Sequence, residues 1–269
     1  MEFKKRISCI HPTCRPKKAK KIREEWLERA KYPELIEYLT CFDTDQKSLF
    51  YKKITLDKTY IDFYHPTTIG LVIKTNFLAT KVNSHCIIMS TDDTLPQKNW
   101  DQAVFDSSDW ENEEVVLDVR DGSEQTEKRD YIIKGVILSK KRYKKLGFIF
   151  HPELEHLFAD DFHSWLSYRD NVVVKRKDIL FEHLHPLLKN KKQDWDQYYQ
   201  RVNTKKKYEV GGRIFMKLVQ DNINDSKIID LLGEYMLSDK NRKKKLKFVL
   251  EATGFDVELI NKMEKEGTI

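Results

Sequence analysis

The order of elements at the start of the chain constrains it most. Residues 6–10, Arg-Ile-Ser-Cys-Ile, read as a buried strand. His11-Pro12-Thr13-Cys14-Arg15-Pro16 reads as a break, because proline continues neither a ladder nor a helix interior. Lys17 to Lys31 carries Ile22, Trp26, Leu27 and Ala30 at helical spacing, and Pro33 stops it. Leu35 to Phe42 reads as a second strand, ending at Asp43-Thr44-Asp45. Strand, helix and strand in that order predict a crossover between parallel strands, hence an α/β chain with a mostly parallel sheet flanked by helices. In open sheets of this kind ligands collect beyond the carboxyl ends of the strands.

A second stretch, His85 to Asp101, fits that edge. The apolar run Cys86 to Met89 has strand length and ends in Asp92 and Asp93, with a proline and a tryptophan soon after. Adjacent carboxylates repel and are costly to bury unless a cation joins them, and a divalent ion holding a phosphate is one solution. An exposed acidic turn closing a strand is the plainer one. Three further clusters stand at element ends: Asp43/Asp45, His183/His185, and Asp160/Asp161 opening a helix. His183 and His185 are two apart and share a face on an extended strand. Oxygen and imidazole ligands together suit manganese or magnesium. Taken singly, a histidine before proline is a structural residue, and Asp160-Asp161 complements a helix dipole. Four such clusters at element ends argue for a shared site.

The rest of the chain is read more coarsely. Thr67 to Ile73 is expected as a strand and Asn76 to Val82 as part of a helix. Residues 103–114 are expected to be irregular. Val115 to Val119 and Tyr131 to Leu138 are expected as strands. Lys141 to Lys145 is read as a short helix ended by Gly147, and the second half of Glu153 to Ser167 as helical. Asn171 to Val174 and Ile179 to Leu184 are read as two strands. Beyond about residue 195 the pattern turns helical, at Ile214 to Gln220, Ile228 to Leu237, Leu246 to Thr253 and Val257 to Met263. The expected division is a domain over 1–195 and a basic helical extension over 196–269, with Gly211-Gly212 the one glycine pair.

Composition narrows the function classes. At 40% hydrophobic and 12% aromatic residues, the chain can build a core, which excludes global disorder. It has no apolar run of about 18 residues, so no membrane span is expected, and its charged start lacks a signal-peptide core. Cys9, Cys14, Cys41 and Cys86 lack CxxC spacing and are expected as reduced thiols of a cytoplasmic protein. The net charge of +6 is uneven: residues 201–269 hold 15 basic and 11 acidic residues. Lysine clusters at 17–21, 140–145, 175–177, 189–192, 205–207 and 242–247 suit a polyanionic partner, or simply solvate helices.

Four segments in order resemble glycosyltransferases of the GT-A fold, in particular the family-2-like group and its small, soluble, phage-type members. Ile7 to Pro16 resembles the opening strand and turn of that group. Ser90-Thr-Asp-Asp-Thr-Leu-Pro-Gln-Lys-Asn-Trp-Asp101 resembles its acidic donor motif. Gly147 to Phe162 resembles the acceptor-side segment, and Phe181-Glu-His-Leu-His-Pro186 the closing histidine motif. The resemblance covers residues 5–190. It implies a nucleoside-diphosphate sugar as donor and Mn2+ or Mg2+ as cofactor. Pro12, Thr13 and Arg15 would line the nucleotide pocket, Asp43 or Asp45 would read the base, and Asp92 would contact the ribose. Asp93, with His183 or His185, would bind the metal. Asp160, or its neighbour Asp161, would be the general base. Glu153, Glu155, Lys144 and Lys145 would meet the acceptor. The motif here is Thr91-Asp92-Asp93 rather than Asp-x-Asp, so ribose and metal roles can shift by one residue. Direct displacement would invert the anomeric configuration.

The acceptor is open between a hydroxymethylated pyrimidine in phage DNA, which would be flipped from the stack and held through lysine–phosphate contacts, and a saccharide or protein. The competing class is a nucleic-acid-binding protein without catalysis, its acidic pairs being solvated turns. Oligomeric state is not legible.

Overall fold

The computed structural model describes residues 5–43, 54–57, 60–65, 70–123, 132–133, 135–184, 200 and 203–222. Asp45, His185, the lysines at 189–192 and the expected helices beyond residue 222 lie outside them, as do the side chains of Asp43, 54–57 and 64–65.

The opening unit is β1 (Ile7–Thr13), α1 (Pro16–Glu28) and β2 (Ile36–Asp43), with a 3-10 turn at Pro33–Leu35 between the last two. β1 and β2 pair in parallel from Ile7↔Ile36 to Thr13↔Phe42. The strand therefore runs through Pro12, where a break was expected. On its other side β1 pairs with β5 (Cys86–Met89) only as far as Ile10↔Met89. Past that point β1 has one neighbour, and a missing N–H is tolerated as on an edge strand.

The remaining strands are β3 (Ile54–Asp57), β4 (Tyr60–His65), β6 (Thr94–Pro96), β7 (Val116–Arg120), β8 (Ile137–Ser139) and β9 (Val173–His183). Their order across the sheet is β3-β4-β2-β1-β5-β8-β7-β9-β6. β1, β2, β4, β5, β7 and β9 point one way, and β3, β8 and β6 run against their neighbours. The sheet is mixed but mostly parallel, and the carboxyl ends of six strands share one edge.

Side chains alternate across this sheet. Ile7, Cys9, Ile36, Tyr38, Cys86 and Ile88 enter one core with Ile22 and Trp26 of α1, while Ile10, Leu39, Cys41 and Ile87 enter the other. A sheet covered on both faces needs such near-continuous apolar strands. Trp26 and Trp100 meet edge-to-face at 5.0 Å in the first core, and the Trp100 indole N–H donates to the Trp26 carbonyl. Asp101 takes the backbone N–H groups of Lys31 and Tyr32 at 2.7 and 2.8 Å, so the Trp-Asp pair after the acidic turn anchors the exit of α1. Cys9, Cys41 and Cys86 are buried, and no disulfide joins any of the four cysteines.

Several expectations are corrected. Leu71–Ala79 is a helix, α2, although Leu71-Val-Ile73 reads as strand. Its buried residues Val72, Thr75, Leu78 and Ala79 follow helical spacing. Trp100–Phe105 forms a short helix, α3, whose last three residues fall in the stretch 103–114 expected to be irregular. Within the expected strand Tyr131 to Leu138, the strand among the described residues is β8, Ile137–Ser139, and Tyr131 and Lys134 lie outside the described residues. The two strands expected at Asn171 to Val174 and Ile179 to Leu184 are one, β9 (Val173–His183), because it carries the polar stretch 175–178 through its ladder with β7 at a register irregularity. The helices α4 (Lys140–Leu146) and α5 (Ala159–Arg169) fall where expected. α4 ends at Gly147, whose φ of 77° suits a residue without Cβ. The last described helix, α6 (Lys205–Asp221), passes straight through Gly211-Gly212. A Cβ on Gly211 would meet the Phe158 ring at 3.0 Å, so this glycine permits close approach of α6. Met216, Leu218 and Val219 of α6 are buried, the last two in the core that α2 and α5 also line.

Candidate active site

The parallel strands deliver Thr13, Asp43, the turn Ser90–Asp93 and His183 to the same edge of the sheet. Asp121, directly after β7, arrives there too. Asp92 is held from the β1 side. His11 Nε2 lies 3.0 Å from its Oδ1, Thr13 Oγ1 donates to both oxygens at 2.8 and 3.0 Å, and Arg15 Nη1 donates to Oδ2 at 3.2 Å. A carboxylate only accepts, so His11 presents an N–H to it at Nε2. Behind it, Nδ1 of the fully buried His11 is 2.9 Å from the Tyr38 hydroxyl, which bonds Ser90 Oγ at 2.8 Å. Burial alone would raise the Asp92 pKa. The hydrogen bond and charge of His11, then the bonds from Thr13 and Arg15, outweigh burial and hold it below the ordinary value.

Asp93 is held from the β9 side. β6 pairs antiparallel with β9, placing Thr94 opposite His183. The Leu184 N–H donates to the Asp93 carbonyl at 2.6 Å, and His183 Nε2 is 3.5 Å from Asp93 Oδ2. Thr91 Oγ1 donates to the other Asp93 oxygen at 2.8 Å. The His183 N–H donates to the Asp121 carbonyl at 2.9 Å. Burial lowers the His183 pKa, but the hydrogen bond and charge of Asp93, with the charges of Asp121 and Asp160, leave it raised. Among the described residues, no three His, Cys, Asp or Glu side chains cluster closely enough to hold an ion by themselves. Asp93 and His183 offer one oxygen and one nitrogen, which fits an ion that keeps water and phosphate oxygens in its remaining positions.

The third side is built by the segment before α5. Phe158 precedes α5 with φ of 66°, and Asp160 and Asp161 fall in the helix's first turn. Asp160 is exposed, and its charge acts on His183, His156 and Tyr208, whereas that of Asp161 acts on Tyr208. Burial lowers the His156 pKa; the charge of Asp160 opposes this, while Lys207, Lys74 and Arg15 add to it, and the net shift is downward. Lys74, buried on α2, donates to the Thr13 carbonyl at 3.0 Å and so ties α2 to the end of β1.

The expected residues therefore separate. Thr13, Arg15 and Asp92 bond one another, and Pro12 is buried beside them in β1. Asp93 and His183 meet. Glu153 and Glu155 pair with Lys217 and Lys207 of α6, at 3.8 and 3.1 Å. Lys144 and Lys145 are not brought to this edge: Lys145 bonds Glu114, just ahead of β7, because β8 runs antiparallel and starts α4 at the opposite end of the sheet. His11, Tyr38, Lys74, Asp121 and His156 were not singled out from sequence. Asp121 had a usable signal, a carboxylate closing an apolar strand, as at Asp43 and Asp92.

No family model matches the sequence, and no curated protein matches it. Solved structures do. TarS residues 1–349 of S. aureus in complex with UDP-GlcNAc superposes with a TM-score of 0.59 at 13% identity, over 92% of this chain and 81% of that one. The mannosyltransferase PcManGT of Pyrobaculum calidifontis, in complex with GDP-Man and Mn2+, gives 0.61 at 10% identity, over 93% and 73%. At such identities the likeness speaks to architecture, and with the mixed sheet described above it shows that this chain has the GT-A fold of glycosyltransferases.

Proposed function

We propose that the chain is a metal-dependent glycosyltransferase that moves a sugar from a nucleoside-diphosphate sugar to a hydroxyl acceptor. The observation that carries this reading is the division of labour within Asp92-Asp93. One carboxylate is held by His11, Thr13 and Arg15 with its pKa lowered, and its neighbour turns to His183. A solvated acidic turn has no reason to recruit a buried His11–Tyr38–Ser90 chain. The fold neighbours, one with UDP-GlcNAc and one with GDP-Man and Mn2+, support the donor class and the ion.

Asp93 and His183 would hold Mn2+ or Mg2+, and the ion would offset the charge of the diphosphate. Thr13 and Arg15, with Pro12, line the nucleotide side, where the ordered Asp92 meets the ribose. Asp43 stands at the end of β2, next in the sheet, for the base. Asp160, exposed and acting on His183, takes the proton of the acceptor hydroxyl as its oxygen bonds the anomeric carbon. The bond from that carbon to the diphosphate oxygen breaks in the same displacement, and the configuration inverts. Asp161 acts on Tyr208 and is the weaker candidate. A hydroxymethylated pyrimidine in DNA is a second reading of the acceptor, favoured by Lys17, Lys18, Lys20 and Lys21, all exposed on α1 just past Arg15.

The test is a melting series with UDP, GDP, CDP and dTDP, each with and without MnCl2. One nucleotide saturating its site at about 100 Kd adds about 2.7 kcal/mol and raises Tm by about 5–10 °C, and EDTA removes the effect. No shift with any of the four overturns the transferase reading.

A further inference from the structure

The first turns of α6 stand at the acceptor side of the site, and they carry an aromatic ring that the fold does not bury. Phe158, directly before α5, stacks on Phe215 of α6 at 5.9 Å and 24°. The Tyr208 ring meets Phe158 edge-on at 6.3 Å. Gly211 lets the two segments approach until a Cβ would touch both the Phe158 ring and the Leu157 carbonyl. Two residues past Phe158 is Asp160. Tyr208 is nevertheless 48% exposed, and among the described residues it is the one aromatic of the three large hydrophobics exposed to this degree. Its hydroxyl bonds Asn203 within its own chain segment, which turns the ring without covering it.

The charges around this ring bear on what it would meet. Lys207 pairs with Glu155, Lys217 with Glu153 and Lys205 with Glu209, at 3.1, 3.8 and 3.9 Å. Asp160 and Asp161 add two negative charges. Three of the four lysines of α6, all but Lys206, are thus matched by carboxylates, and with Asp160 and Asp161 beside them the face gives a phosphate backbone little reason to bind. A neutral ring with apolar C–H faces and hydroxyl edges suits it better: the ring faces stack on an aromatic, and the edges bond carboxylates.

We propose that Tyr208 is the acceptor platform of this enzyme, stacking a neutral pyranose ring so that one of its hydroxyls reaches Asp160. The acceptor is then a saccharide. The inference rests on the transferase reading above and adds the acceptor class to it. After burial, the charges of Asp160 and Asp161 are what raise the Tyr208 pKa, in keeping with their closeness to the ring.

The experiment is saturation-transfer NMR on the full chain with MnCl2 and whichever nucleoside diphosphate raised its Tm. The probes are methyl β-glucopyranoside, methyl β-N-acetylglucosaminide and thymidine, and the variants Tyr208→Ala and Tyr208→Phe. The expected result is transfer to pyranoside ring protons in the wild type and in Tyr208→Phe, with binding at least about tenfold weaker in Tyr208→Ala. The nucleotide-induced rise in Tm should be equal in all three proteins, which also reports that the variants fold. Unchanged pyranoside binding in Tyr208→Ala overturns the platform alone. So does absence of pyranoside binding to the wild type, or loss of thymidine rather than pyranoside in the variant. Failure of every nucleoside diphosphate to shift the wild type removes the transferase reading and the platform with it.

Discussion

Asp92 and Asp93 are consecutive, yet their carboxylates are held from opposite sides of the same sheet edge, Asp92 Oδ1 at 3.0 Å from His11 of β1 and Asp93 Oδ2 at 3.5 Å from His183 of β9. The turn thus bridges two strands far apart in sequence. Binding of a nucleotide on one side and an ion on the other would meet at a single peptide unit.

Asp93→Ala should remove the ion without removing the fold. Asp93 is partly exposed and its partner His183 can be solvated, so Tm should stay within about 4 °C of wild type. Turnover of the sugar nucleotide should fall at least about a hundredfold, and MnCl2 should no longer enhance the nucleotide-induced shift. Wild-type turnover in this variant would refute the ion assignment.

Asp160→Asn and Asp161→Asn should separate the two carboxylates at the start of α5. A positioned base is worth about 10²–10⁴-fold, so Asp160→Asn should lose that much turnover while nucleotide binding is kept. Asp161→Asn should lose less than about tenfold. Equal losses would show that neither residue acts alone.

Asp92→Asn links the site to acid stability. The folded pKa of Asp92 lies below the ordinary 3.8, so the native state binds fewer protons than the unfolded chain between those two values, and stability rises with pH there. The contribution is complete above pH 3.8 and is lost as pH falls through the folded value. In urea unfolding the variant should be about 1–3 kcal/mol less stable than wild type near neutral pH. The gap should narrow on acidification below 3.8; a gap independent of pH would refute the ionic account.

The glycine pair of α6 makes two opposite forecasts. At Gly211 a side chain meets the Phe158 ring at 3.0 Å and the Leu157 carbonyl at 3.3 Å. Gly211→Val should therefore cost about 1–3 kcal/mol, as overpacking does. At Gly212 the nearest atoms are at 3.6 and 3.8 Å, an ordinary contact. Gly212→Ala should gain about 0.5–1 kcal/mol from helix propensity. Chemical denaturation of both variants checks the pair, and a stabilised Gly211→Val would mean that α6 does not pack on Phe158.

The sequence by itself determined the parallel β1–α1–β2 unit, because proline boundaries, helical spacing and two apolar runs leave few other arrangements. It also marked the strand ends that carry Asp92, Asp93 and His183, because a charged cluster closing an apolar run is a local pattern. What it could not carry were relations between distant segments. Lys74 falls between Thr67 to Ile73, which reads as strand, and Asn76 to Val82, which reads as helix, since Leu71-Val-Ile73 is β-branched-rich and the burial that makes it helical comes from the sheet below. His11 and Tyr38 act through a hydrogen-bonded chain that spans three strands. The placement of Lys145 at the far end of the sheet follows from the direction of β8, which composition does not encode. Gly211-Gly212 stands out in the sequence only as the one glycine pair, and only the packed structure shows that the missing side chain of Gly211 lets α6 reach Phe158, two residues before Asp160. Backbone direction and close approach are decided by which faces must be buried together, and that is a property of the whole fold rather than of any one stretch of it.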